Sequence, residues 1–197
     1  MHLRTADPAL ARIIDTVGPF TLEPAAEGFA ALVDAIVSQQ ISVKASIAIL
    51  RRLTGHVGEL TPAALLVHPP ESLRTAGLSN QKARYLLDLA AKVDGGILDL
   101  DVLPQLHDEA VIEQLVQVKG IGRWTAEMYL IFALLRPNVL PVDDLGIRQA
   151  VQRIYGLEEL PKGPRIRQIA EPWQPYQSVG SWYLWRSLAL PGEFFAR

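Results

Sequence analysis

The chain has 197 residues, 49% hydrophobic and 20% charged, which is ample for a buried core in one or two small domains. The absence of cysteine excludes disulfides, thiolate zinc sites and iron–sulfur clusters. A net charge of −2 and a pI of about 6.1 argue mildly against a nucleic-acid partner, although a few cations and a local set of backbone amides can still hold a phosphate backbone.

The first residues, Met1-His2-Leu3-Arg4-Thr5-Ala6-Asp7, contain no apolar signal core, and no run reaches the roughly 18 apolar residues of a spanning helix. A cytoplasmic monomer without membrane contact is the expectation. His2, His56, His68 and His107 lack ligand spacing and read as surface residues. No cofactor is expected.

From residue 28 the chain reads as helical. Residues 28–55 carry Phe29, Leu32, Val33, Ile36 and Val37 at helical spacing, then, after a polar break, Ile41, Ala45, Ala48 and Ile49. Residues 62–96 give short helices punctuated by Pro69-Pro70, Gly77 and Gly95-Gly96, with Ser79 as N-cap of a helix over 81–93. Residues 108–118 form an amphipathic helix, and 123–135 are apolar on nearly all sides, as in a buried central helix. Pro137 and Pro141 keep 136–144 extended. Asp143 or Asp144 then caps a helix ending at Gly156, and a tryptophan-rich helix closes the chain. The spacing predicts an all-α fold of roughly ten helices.

Between two of these helices lies Lys119-Gly120-Ile121-Gly122. Glycine at both ends of the turn would allow positive φ and expose amides beside a helix start, an anion site made of main chain. A bare hairpin with glycine as C-cap has the same sequence.

The wider stretch, residues 115–132, resembles the helix-hairpin-helix motif of the DNA glycosylase superfamily, L-x-x-(V/L/I)-x-G-(I/V)-G-x-x-T-A. Leu115, Val118, Gly120, Ile121, Gly122, Thr125 and Ala126 match it. That superfamily carries an aspartate some way past the motif, and Asp143 and Asp144 stand 21 and 22 residues after Gly122. "KGIGRWTAEM" with "PVDDLGIR" is similar to the 3-methyladenine DNA glycosylase II branch, over about residues 28–190. Only 27 residues precede that region, which looks like the short form lacking the N-terminal α/β domain.

The resemblance implies a helix-hairpin-helix DNA glycosylase fold, with two helical subdomains flanking an active-site cleft. Residues 28–105 would hold the wedge loop, and 106–197 the hairpin and the catalytic aspartate, within one unit of 1–197. It makes Asp144 the catalytic carboxylate, with Asp143 a cap or loop support. It places Trp124 and Trp185 in the pocket for the flipped base; Trp182, three residues before Trp185 and so able to share its face, is taken with them, while Trp173 and Tyr183 read as core. Gln39 and Gln40 fall in the loop that enters the duplex, where Gln40 replaces an apolar wedge. Val118, Gly120, Gly122 and Thr125 would contact DNA. Apart from the resemblance, Ser79, Asn80 and Lys82 at a helix start offer either a second phosphate contact or a plain surface loop. A monovalent cation at the carbonyls of Val118 and Gly120 is compatible with the motif, and no essential metal is implied.

The implied reaction is hydrolytic removal of alkylated bases of the 3-methyladenine and 7-methylguanine type from duplex DNA, in base excision repair. Bifunctional relatives such as endonuclease III carry a Schiff-base lysine directly after G-x-G-x. Here that position is Trp124, so no lyase step is expected. The alternatives are a helix-hairpin-helix DNA-binding module without catalysis, and a glycosylase for a neutral mismatched or oxidised base.

Overall fold

In the computed structural model, which describes residues 1–23 and 26–195, every regular element is helical. Twelve α-helices and three short 3-10 turns occur among the described residues, against the roughly ten helices expected from length and patterning. The excess lies in five-residue helices such as α1 (His2–Ala6), α5 (Pro62–Leu66) and α6 (Pro70–Arg74), which are too short to show a period. No helix among the described residues is long and apolar enough to cross a membrane.

Contacts divide the chain into two compact units, residues 24–134 and residues 1–23 with 135–197. The boundary therefore falls at 134/135 and not near 105/106. The hairpin lies in the central unit, while Asp144 lies in the unit built from both chain ends. The reason is packing: α9 (Arg123–Phe132), the second hairpin helix, lies against α3 (Gly28–Ser38).

In the central unit, α3 is apolar almost all round and fully buries Leu32, Val33, Ile36 and Val37. Burial of each such side chain stabilises by about 1.5–3 kcal/mol. Against α3 pack α4 (Val43–Val57), α7 (Asn80–Asp94) and α9, while α5 and α6 cover α7. The polar break expected after residue 38 is real: residues 39–42 separate α3 from α4. The other hairpin helix, α8 (Asp108–Leu115), ends three residues before its expected end and buries Val111, Ile112 and Leu115.

In the terminal unit, α12 (Gln177–Ser187) packs on α2 (Pro8–Val17) and α10 (Leu145–Tyr155). Leu10, Ile13, Ile147, Val151, Trp173 and Leu184 form its centre. Asp7 ties the pieces together. Its Oδ1 accepts the N–H groups of Ala9 and Leu10, capping α2, and its Oδ2 accepts the Tyr155 phenol at 2.5 Å and the Trp173 indole N–H at 2.8 Å. Tyr183 is also a core residue, its hydroxyl donating to the Gly18 carbonyl at 2.9 Å.

Candidate active site and nucleic-acid interface

The hairpin turn is built on Gly120. Its φ is 86°, and a Cβ there would stand 2.0 Å from Cδ2 of Tyr85, so only glycine fits on both counts. Gly122 differs from the expectation, since its backbone is extended at φ −95°, ψ 176°. Its part is to open α9 as an N-cap with no side chain. The first amides of α9, at the positive end of its dipole, therefore have no cap from the Gly122 side. A helix start of this kind suits an anion. The turn is also held by Asp88, which accepts the Lys119 amide at 2.9 Å and the Lys92 ammonium at 2.7 Å, with the Lys119 ammonium 3.5 Å away. Burial opposes ionisation of Asp88, but these donors and charges outweigh it and hold its carboxyl below the usual range.

The Val118 side chain is buried, and its carbonyl accepts the Ile121 amide. The Gly120 carbonyl accepts the Gln39 side-chain amide at 2.8 Å. Each of these two carbonyls thus already accepts a hydrogen bond from within the protein. Beside the turn runs a recess of about 860 Å³, lined by Asn80, Arg84, Tyr85, Asp88 and Lys119 among others.

Several residues assigned to DNA contact have partners inside the protein. Lys82 points its ammonium at the carbonyls of Val37 and Gln39, at 2.7 and 2.6 Å, closing the C-terminal end of α3. Burial lowers its pKa. The Thr125 hydroxyl is buried and accepts the Gln39 side chain at 3.3 Å. Gln39 thus faces the hairpin and not solvent. Ser79 caps α7 through the Lys82 amide, as expected, and is exposed. Gln40 is exposed and takes φ 56°, a left-handed conformation that costs a non-glycine residue about 1–2 kcal/mol. Ile41 and Val43 beside it are also exposed.

In the terminal unit, Asp144 caps α10, accepting the Ile147 amide on Oδ1 at 2.8 Å. The same oxygen accepts the Trp185 indole N–H at 2.9 Å. Asp143 is exposed, and the cap expected of either residue is made by Asp144. Gly146 is a contributor that sequence reading missed. A Cβ on it would lie 3.1 Å from both Oδ1 of Asp144 and Cδ1 of Trp185. A glycine in the first turn of a helix directly after a cap was its only sequence signal.

The aromatic residues divide. Trp185 is half-buried beside Asp144. Trp124, at the start of α9, is 41% exposed and presents a large ring to solvent. Trp182, expected in the base pocket, is a core residue instead, with 7% exposure. Phe20 and Tyr183 pack edge-on against it, and the Arg186 guanidinium lies over its ring. The three-residue spacing from Trp185 does not bring Trp182 to the surface, because the space around its ring is already filled.

The matching family model spans residues 33–175 and describes HhH-GPD superfamily base excision DNA repair proteins, and the chain belongs to that family. DNA-3-methyladenine glycosylase 1 of Schizosaccharomyces pombe is 34% identical over 197 residues, covering 96% of this chain and 86% of the relative. A Bacillus subtilis relative, YfjP, is 32% identical over 161 residues, and the alignment spans 56% of that protein's length. The solved structure of the S. pombe 3-methyladenine DNA glycosylase in complex with abasic DNA superposes with a TM-score of 0.88, at 32% identity and 97% coverage of this chain. The helical glycosylase fold implied by the sequence is therefore the fold observed.

Proposed function

We propose that the protein is a monofunctional DNA glycosylase that excises alkylated bases, of the 3-methyladenine and 7-methylguanine type, by hydrolysis. The observation that carries this reading is Asp144, oriented at the head of α10 by the Ile147 amide and the Trp185 indole, in a chain of the base excision repair family. Breaking a bond between sugar and base leaves positive charge on the deoxyribose. A fixed carboxylate stabilises that charge and orients the attacking water. A base alkylated at N3 or N7 is already cationic and departs as a neutral molecule, so no strong general acid is required.

The duplex is held by phosphate at the start of α9, with Lys119 and Arg84 adding charge beside it. The target base is turned out of the stack, and Gln40 at the tip of its loop enters the space left behind. In the terminal unit the Trp185 ring beside Asp144 offers a face to a cationic base, worth about 0.5–2 kcal/mol, and in the central unit the exposed Trp124 ring offers a face to a nucleobase. Two details support the lack of a lyase step. Tryptophan stands where bifunctional relatives place their lysine, and Lys82 near the turn is engaged with two carbonyls.

The test uses duplex DNA methylated with dimethyl sulfate, incubated with the wild type and with Asp144→Asn. Asparagine caps a helix as well as aspartate does, so the variant removes charge with little change in fold. Methylated purines released by the wild type alone, with strands uncut before alkali, support the reading. Equal release by both proteins moves catalysis away from Asp144. Binding without release leaves a DNA-binding module or a glycosylase for a neutral base.

A further inference from the structure

Lys82, Tyr85 and Asp88 follow one another at three-residue spacing on α7 and share one face. Each holds a different part of the DNA-facing surface of the central unit. Lys82 donates to the carbonyls of Val37 and Gln39. Tyr85 fills the space under Gly120 that any Cβ would need. Asp88 takes the Lys119 amide in the turn. The circuit is closed by Gln39, whose side chain donates to the Gly120 carbonyl and the Thr125 hydroxyl.

The Gln39 carbonyl belongs to the peptide plane that leads into Gln40. Fixing that oxygen fixes the plane from which the φ of Gln40, the strained residue at the loop tip, is set. An ammonium donating two charge-assisted bonds from a partly buried position is well suited to hold such a conformation. A lysine committed in this way has no reach left for a phosphate.

We propose that α7 is a fixed spacer between the phosphate-holding hairpin and the loop that enters the duplex, and that Lys82, with Gln39, is a positioning residue for Gln40. The proposal rests on the reading above, in which the hairpin holds phosphate and Gln40 fills the vacated stack. Its consequence is selective. A loop with a slack tip raises the cost of extruding a base but leaves the cleavage step alone once the base is out. The defect must therefore scale with how hard the base is to extrude.

The experiment compares wild type, Lys82→Met, Lys82→Arg and Gln39→Ala. Single-turnover release of 7-methylguanine is measured from a fully paired duplex and from one with an abasic-site analogue opposite the lesion. Binding to unmodified duplex is followed across salt concentration. Lys82→Met is expected to slow release from the paired duplex about tenfold, with the deficit shrinking to under about threefold where the base is already unpaired. Arginine restores most of the rate, since its several donors also reach two carbonyls. Unmodified-duplex binding and its salt slope stay unchanged.

Gln39→Ala leaves Lys82 in place and carries the same expectation should Lys82→Met melt early. Equal deficits on the two duplexes, or none on the paired one, overturn the proposal. So does uniformly weaker binding with a salt slope reduced by about one, the mark of a lysine on a phosphate. If the wild type releases no base from either duplex, the functional reading fails separately. The spacer is then judged by 2-aminopurine fluorescence in unmodified duplex, which the wild type should raise and Lys82→Met should not.

Discussion

The Trp185 indole and the Ile147 amide converge on one oxygen of Asp144, at 2.9 and 2.8 Å. The carboxylate is therefore oriented by two donors from different elements, a side chain of α12 and the backbone of α10. Trp185→Phe keeps an aromatic ring and removes one donor. The helix cap survives through Ile147, so thermal stability should change little. The rate of base release in single-turnover assays should fall about 10–100-fold, the usual penalty when a reacting group loses its alignment.

Gly146→Ala separates stability from activity. Alanine favours a helix over glycine by about 1 kcal/mol, and Gly146 has no positive φ to strain. The added methyl would press on Asp144, Trp185 and Leu188 at 3.1–3.3 Å. Melting temperature should hold or rise slightly while base release falls several-fold. A variant with full activity would show that the Asp144–Trp185 pair tolerates displacement.

The two glycines of the hairpin should behave differently. Gly120→Ala meets both a φ of 86° and the Tyr85 ring at 2.0 Å. It should cost about 2 kcal/mol or more and weaken duplex binding, as read from denaturant midpoints and from fluorescence anisotropy. Gly122→Ala has open space and an extended backbone, and should cost about 1 kcal/mol or less.

Alkaline stability should report on Tyr155. Burial first, and then the hydrogen bond and charge of Asp7, push its phenol far above the usual range. In the unfolded chain the phenol ionises near pH ~10, whereas the folded state keeps the proton. The contribution is thus intact below about pH 10 and is lost as pH rises beyond it. Tyr155→Phe should lower stability at pH 7 by about 1 kcal/mol and flatten the fall between pH 9 and 11, as read from urea midpoints. The buried phenols of Tyr129 and Tyr183, also raised, should leave a residual slope.

What could be read in advance was local. Gly120 sits in a turn whose flanking helices are apparent within a few residues, and Asp144 opens a periodic segment like any cap. What could not be read concerns polar side chains whose partners are remote in sequence. Lys82 lies in the first turn of a helix, where a lysine looks like a phosphate hook. Its true acceptors are 43 and 45 residues earlier. Gln39 finds Gly120 across 81 residues, and Asp7 finds Trp173 across 166. Only the packing of α3, α7 and α9 makes the first two pairings possible. The burial of Trp182 was hidden for a related reason: helical spacing tells which residues share a face but not whether that face is covered. The N-terminal helix α2 carried a legible signal in Asp7-Pro8, a cap followed by proline at the first helical position, that the hydrophobic pattern alone did not bring out.

The unit assembled from both chain ends has a consequence for biosynthesis. The central unit is complete once translation passes residue 134, and it can fold as the next segment emerges. Residues 1–23 are made before the central unit, and their partners in the terminal unit only after it. Leu10, Ile13 and Ile14 have only α1 to pack on until α10 and α12 are made, and Asp7 meets Tyr155 and Trp173 only after the whole central unit has been synthesised. The amphipathic helix α2 therefore stays only partly covered while the central unit folds, and the terminal unit closes by joining two segments separated by the whole of residues 24–134.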